Sequence, residues 1–181
     1  MRHFTITGAP GAGKTRVLTL LAERGYTVVA EAPRAIIRDR RARGLSPRPG
    51  PREFAGAILE HACRGYREAR GPGPVLHDRG LLDGIAMGLA LGLLSPEEGR
   101  ALFVDFPMEA PLILFPPWAD IYRTDAERDQ TYTEAVGAYG RLLAFLAARD
   151  LAFVEVPRLD VAARADFVAD LVGAPDGSQE A

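Results

Sequence analysis

The sequence predicts an α/β fold in which a parallel, five-stranded sheet is covered on both faces by helices. Short apolar, often β-branched runs alternate with longer segments of helical period along almost the whole chain. Such alternation is the pattern of parallel strands joined by right-handed crossover helices. The apolar runs end at Gly8, Glu31, Asp78, Pro116 and Val156. These are the carboxyl ends of strands, where sheets of this kind bind their ligands, and the polar residues collect there. The first run also breaks into a glycine-rich turn that opens directly into a helix.

Each element has its own justification. His3–Thr7 is a buried first strand, and Lys14–Arg24 its helix, with Val17, Leu18, Leu20 and Leu21 facing inward. Gly25 stops that helix. Thr27–Ala30 is a short second strand, closed by Glu31. Pro33–Arg43 is helical and carries Arg34, Arg38, Arg40, Arg41 and Arg43. Three prolines and two glycines make 44–51 an exposed loop. Arg52–Arg70 returns to helix, with Phe54, Ala57, Ile58 and Cys63 in the core. Gly71 to Pro74 punctuate the chain before the third strand, Val75–Asp78. Leu81–Leu93 is helical despite its glycines. Ser95-Pro96-Glu97-Glu98 combines an N-cap, a proline at the first helical position and acids in the first turn. Leu112–Phe115 is the fourth strand, closed by Pro116-Pro117-Trp118. Ala119–Gln130 is polar and short of core residues, the composition of a lid. Thr131–Arg149 is a long helix, Ala152–Val156 the fifth strand and Val161–Val172 the last helix. Residues 1–173 are expected to form a single domain and 174–181 a flexible tail.

The turn after the first strand carries the chemistry. Gly8 to Thr15 read Gly-Ala-Pro-Gly-Ala-Gly-Lys-Thr and fit G-x-x-x-x-G-K-[ST], the P-loop or Walker A pattern. Glycines permit backbone angles and approaches that a Cβ blocks. Successive N–H groups then converge on an anion, backed by a helix N-terminus. The cradle is expected to comprise Gly8, Ala9, Pro10, Gly11, Ala12, Gly13, Lys14, Thr15 and Arg16. Lys14 would reach the β- and γ-phosphates from a position outside the core, and the Thr15 hydroxyl would bind Mg²⁺. Lys14 is the only lysine in a chain whose other positive charges are all arginine. That selectivity suggests a compact ammonium is needed there. The motif predicts a three-layer P-loop NTPase fold with ATP and Mg²⁺ as its ligands.

Acids and arginines at the same edge fill the remaining roles. Asp78 stands at the Walker B position, where a carboxylate holds Mg²⁺ directly or through water; it could instead cap the following helix. Glu31 is a candidate general base toward a substrate hydroxyl, or a second metal ligand. Its alternatives are a surface acid opening a helix or a partner for Arg34. Arg79 could hold a phosphate or form a buried ion pair with Glu31. Arg123 and Arg128, in the lid, could offset charge developing in phosphoryl transfer, or pair locally with Asp125, Glu127 and Asp129. Trp118 either stacks on a ring or anchors the lid. The arginines from Arg34 to Arg52 form a solvated face or an anion-binding patch. His77 reads as a core histidine; His3 and His61 carry no signal, and Cys63 reads as structural.

Composition excludes several classes. The length of 181 residues with 48% apolar and 25% charged residues suits one globular domain, and the formal net charge of -2 gives no general pull toward nucleic acid or anionic membranes. A single cysteine allows no internal disulfide. No apolar run is long enough to span a bilayer, residues 80–94 included. A cytoplasmic protein is the expectation.

Gly8–Thr15, Glu31-Ala32-Pro33-Arg34, Asp78-Arg79-Gly80 with Asp83-Gly84, Pro116-Pro117-Trp118 and Tyr122 to Arg128 together resemble a known group. It comprises the small P-loop AAA-type ATPase/kinase domains related to the ribosylnicotinamide kinase domain of the bifunctional NAD-biosynthesis regulator. The likeness continues through Tyr139, Phe153–Pro157 and Arg164–Phe167. More distantly the chain is similar to nucleoside kinases. Those relatives would assign the general base to Glu31 and metal and phosphate handling to Asp78 and Arg79, although Gly80 stands where they often carry serine. The resemblance implies a nucleoside-kinase-like fold and an ATP- and Mg²⁺-dependent phosphotransferase acting on a hydroxyl of a small molecule. The alternative it implies is a regulatory ATP- or GTP-binding NTPase that controls a partner or binds an anionic lipid.

Overall fold

The computed structural model describes residues 1–46, 49–71, 73–123 and 130–175, with Arg34 described by its backbone alone. Five strands, β1 (His3–Gly8), β2 (Thr27–Val29), β3 (Val75–Asp78), β4 (Leu112–Phe115) and β5 (Phe153–Glu155), alternate with seven helices. The helices are α1 (Lys14–Glu23), α2 (Ala32–Ala42), α3 (Pro51–Glu68), α4 (Gly80–Ala90), α5 (Pro96–Asp105), α6 (Tyr132–Ala147) and α7 (Val161–Val172). All strand pairs are parallel, in the order β2-β3-β1-β4-β5. The three-layer α/β sheet expected from the alternation is the fold observed.

Strand order decides the layers. The β1-to-β2 crossover runs toward one edge and every later crossover runs the other way, so right-handed connections put α1 on one face and α2 to α6 on the other. In keeping with this, α1 packs on α7, while α3 packs on α4 and α4 on α5. The central strands β1, β3 and β4 are buried along their whole length, and β4, Leu-Ile-Leu-Phe, is an unbroken apolar run. The main core joins them to Val17, Leu18 and Leu21 of α1 and to Val168 and Val172 of α7. A second cluster, Ala62, Leu81, Ile85 and Phe106, fills the space under α3, α4 and α5.

Local chemistry explains the helix ends. Ser95 accepts from the Glu98 N–H while the Glu98 side chain accepts from the Ser95 N–H, a complete capping box that starts α5 as expected. Thr131 and Glu134 do the same for α6. The glycines of α4 reflect packing: a Cβ on Gly84 would lie 3.2 Å from the Leu59 Cα, so the residue lets α3 and α4 approach backbone to side. Among the described residues, no helix is long and apolar enough to cross a membrane.

Candidate nucleotide site

β1 ends where backbone must touch backbone. Gly8 has φ +126°, and a Cβ there would stand 2.2 Å from the Phe115 carbonyl oxygen. That oxygen accepts from the Ala9 N–H at 2.9 Å, which ties the loop to β4. Gly11 and Gly13 also have positive φ, and Gly13 is the N-cap of α1. Residues 8–15 therefore form a tight loop whose last turn delivers free N–H groups at a helix start.

Lys14 does not lie outside the core as expected. It is 7% exposed, and its Nζ donates to the Ala9 and Gly8 carbonyls at 2.9 and 3.4 Å. Burial, and then the charge of Arg79, bring its ammonium down to about 7, against the pull of Asp78, Glu31 and Asp83. Thr15 and Arg16 are exposed and line the same cleft as Lys14.

Asp78 ends β3, buried, and its Oδ1 has no hydrogen-bond partner among the described residues. Burial pushes its carboxyl up to about 6, with Lys14 opposing. It does not cap α4: that position belongs to Arg79, and no side chain makes a cap bond there. A buried carboxylate oxygen with no partner among the described residues has the chemistry of a hard-cation ligand. That oxygen and the exposed Thr15 hydroxyl are both hard oxygen donors, the type Mg²⁺ takes.

Arg79 forms the ion pair the sequence allowed. Its Nε donates to Glu31 Oε1 at 2.9 Å and its Nη1 to Asp83 Oδ1 at 3.0 Å. Asp83 Oδ2 in turn accepts from the Thr7 hydroxyl at 3.0 Å. Burial disfavours the guanidinium charge, but Asp83, Glu31 and Asp78 outweigh it and raise its pKa. Arg79 also has φ 63° and ψ -49°, a strained conformation for a residue with a side chain. Glu31 and Arg79 both line the cleft.

Residues 118–123 are held by their own polar groups. Trp118 Nε1 donates to Asp120 Oδ2 at 3.1 Å, and a short 3-10 turn follows over Ala119–Ile121. Arg123 faces the cleft, and its Nη1 donates to the Tyr122 and Asp120 carbonyls at 2.7 and 3.2 Å. Arg128, Asp125, Glu127 and Asp129 lie outside the described residues, as does the tail beyond 175. Three arginines of the 34–52 cluster have protein partners: Arg40 pairs with Glu53, Arg43 with Asp39, and Arg52 donates to the Leu91 and Gly92 carbonyls.

Sequence reasoning gave no role to three residues. Asp83, four residues after Arg79, was signalled by that helical pair spacing. Arg164, buried in α7, donates from Nη1 to the Ala12 carbonyl at 2.9 Å and lines the cleft. Its position on the inward face beside Ala165, Val168 and Val172 was the available clue. His3 is buried and pairs its Nδ1 with His77 Nε2 at 2.8 Å, so the core histidine His77 has a core partner. Together the P-loop, Glu31, Arg79, Trp118, Arg123 and the start of α7 enclose a cleft of about 520 Å³.

Comparison with known proteins agrees with this architecture. The model of the AAA domain family matches residues 3–164. No curated protein matches the sequence significantly. Among solved structures, the chain is similar to deoxyadenosine kinase from M. mycoides with bound dATP, at 15% identity and TM-score 0.59 over 94% of this chain and 98% of that one. It is also similar to the NadR protein in complex with NR, at 18% identity and TM-score 0.65 over 99% of this chain; there it spans 54% of the other chain. A NadR complex with NAD and AMP-PNP aligns at TM-score 0.62 over 52% of that chain. At these identities the likeness is one of fold. The family match and the P-loop geometry lead to the same place: the chain belongs to the AAA domain family and is a nucleotide-binding P-loop protein.

Proposed function

We propose that this protein is an ATP- and Mg²⁺-dependent phosphotransferase that phosphorylates a hydroxyl of a small, nucleoside-like molecule. The observation that supports it most is that the cleft holding Lys14 and Thr15 is also lined by Glu31 and Arg79. Glu31 is held by Arg79, so an oriented carboxylate able to serve an acceptor hydroxyl as a base stands at the same cleft. The kinase neighbours share the fold and bind, respectively, dATP and NR in their complexes.

In this reading the P-loop amides and Lys14 hold the triphosphate. Glu31, oriented by Arg79, accepts the proton of the acceptor hydroxyl as its oxygen attacks the γ-phosphorus in line. The bond to the bridging oxygen breaks, and ADP leaves carrying the electron pair. Arg123, and Arg128 if the lid brings it in, offset charge on the transferring oxygens. Mg²⁺, when bound, neutralises phosphate charge; Thr15 and Asp78 are the residues that would hold it. The proposed working unit is residues 1–173 as one domain, with 119–130 as its lid.

A screen of nucleosides, vitamins and sugars with γ-labelled ATP tests the assignment. Label should appear on an acceptor with the wild-type chain. Glu31→Gln should suppress that transfer with nucleotide binding nearly intact, whereas Asp78→Asn should weaken the metal dependence of transfer and of background hydrolysis alike. Hydrolysis by the wild type with no acceptor labelled, and equal defects in both variants, would overturn the kinase reading.

A further inference from the structure

Arg164, 4% exposed, carries a buried charge with which no acid among the described residues forms an ion pair, although Asp160 favours that charge from a distance. Its Nε is buried and has no hydrogen-bond partner among the described residues. Asp160, one helical turn earlier, directs its carboxylate to the Ala163 N–H and caps α7. The guanidinium carbon lies 5.7 Å from the Phe115 ring centroid and 5.4 Å from that of Trp118. Among the described residues its one hydrogen-bond partner is the Ala12 carbonyl.

Such a group is unfavourable in a fold unless an anion compensates it. Arginine cannot escape by losing its proton, although burial pushes it in that direction. Packing alone would be served as well by methionine or leucine. The place of the charge identifies the missing anion. A Cβ on Gly13 would come within 3.0 Å of both terminal nitrogens, so the guanidinium lies against the N-cap of α1, where the phosphate cradle presents its N–H groups. The side chain also lines the cleft.

We propose that Arg164 is a phosphate ligand of the nucleotide site, its guanidinium held beside Ala12 and Gly13 to pair with a phosphate oxygen of the bound nucleotide. This rests on the reading of the cleft as a nucleoside di- or triphosphate site. The cation is installed by the fold and completed by the ligand, which makes Arg164 a binding residue contributed by the last helix to a loop at the start of the chain.

The test compares the full-length wild type with Arg164→Gln and Arg164→Lys. Glutamine keeps a donor for the Ala12 carbonyl and removes the charge; lysine keeps the charge. Equilibrium binding of Mg·ADP and Mg·ATP is measured well below the melting midpoints, and the midpoints are measured without nucleotide. Arg164→Gln should weaken both ligands roughly ten- to hundredfold, the usual range for a charged hydrogen bond. Its midpoint without nucleotide should be equal to or above that of the wild type, because an uncompensated charge has gone. Arg164→Lys should retain more of the affinity than Arg164→Gln. Wild-type affinity in Arg164→Gln overturns the proposal and leaves the cleft reading standing. Equal losses in both variants, with lowered midpoints, reduce Arg164 to a support for the loop and also overturn it. A wild type that binds neither nucleotide removes the cleft reading and the proposal together.

Discussion

Lys14 is a buried ammonium already near neutrality, and a phosphate changes the balance that put it there. Without nucleotide its pKa is about 7, depressed first by burial and then by Arg79. A polyphosphate favours the protonated amine, so the bound state has the higher pKa and binding takes up a proton. Affinity should then be full below pH 7 and fall as pH rises from 7 toward the bound-state value. Calorimetry in buffers of different ionisation heat should show proton uptake near pH 8, and Lys14→Ala should abolish it along with most of the affinity. Uptake that persists in the variant would place the proton elsewhere. Among the described residues Arg123 bonds only to carbonyls, so Arg123→Ala should lower kcat more than nucleotide affinity. An equal loss in both quantities would mark it as a ground-state contact.

At the scale of elements, two junctions hold the site in shape. The first joins β1 to β4. Gly8→Ala would force a methyl into the Phe115 backbone at an unsuitable φ, and should destabilise the chain by at least about 2 kcal/mol in chemical denaturation. The second joins β1, α2 and α4 through Thr7, Asp83, Arg79 and Glu31. Asp83→Ala should reduce stability by about 1–2 kcal/mol, because the pair is partly exposed. It should lower transfer more than nucleotide binding, since Arg79 then loses one of its two anchors. How much of this was legible follows from sequence distance. Lys14, Thr15, Glu31 and Asp78 stand at strand ends, so local pattern alone brought them to one edge. The ion pair of Arg79 with Glu31 was foreseen as an alternative for the same reason. Arg164 was not, because its partner Ala12 is 152 residues away and an arginine in a short helix usually faces water. Gly84 looked like a flaw in α4 because the surface it fits belongs to α3.

For the whole molecule, alternation announced the α/β layers and the five strands, but the order β2-β3-β1-β4-β5 was beyond local pattern. Strand order is chosen by pairing between distant segments and by which face each helix must cover. Because the loop, β4 and α7 meet at the cleft, a ligand there should stabilise the entire fold by mass action. At a hundredfold excess over Kd the gain is about 2.7 kcal/mol, equivalent to a rise of about 5–10 °C in Tm for a chain of this size. No rise with Mg·ATP would show that the cleft is not its site. The lone lysine has a separate consequence for covalent chemistry. An amine with a pKa near 7 is substantially unprotonated in neutral buffer, and no other side chain here offers one. A small amine-acylating reagent should therefore modify Lys14 in the nucleotide-free protein, and bound nucleotide, which protonates and covers that amine, should slow the modification.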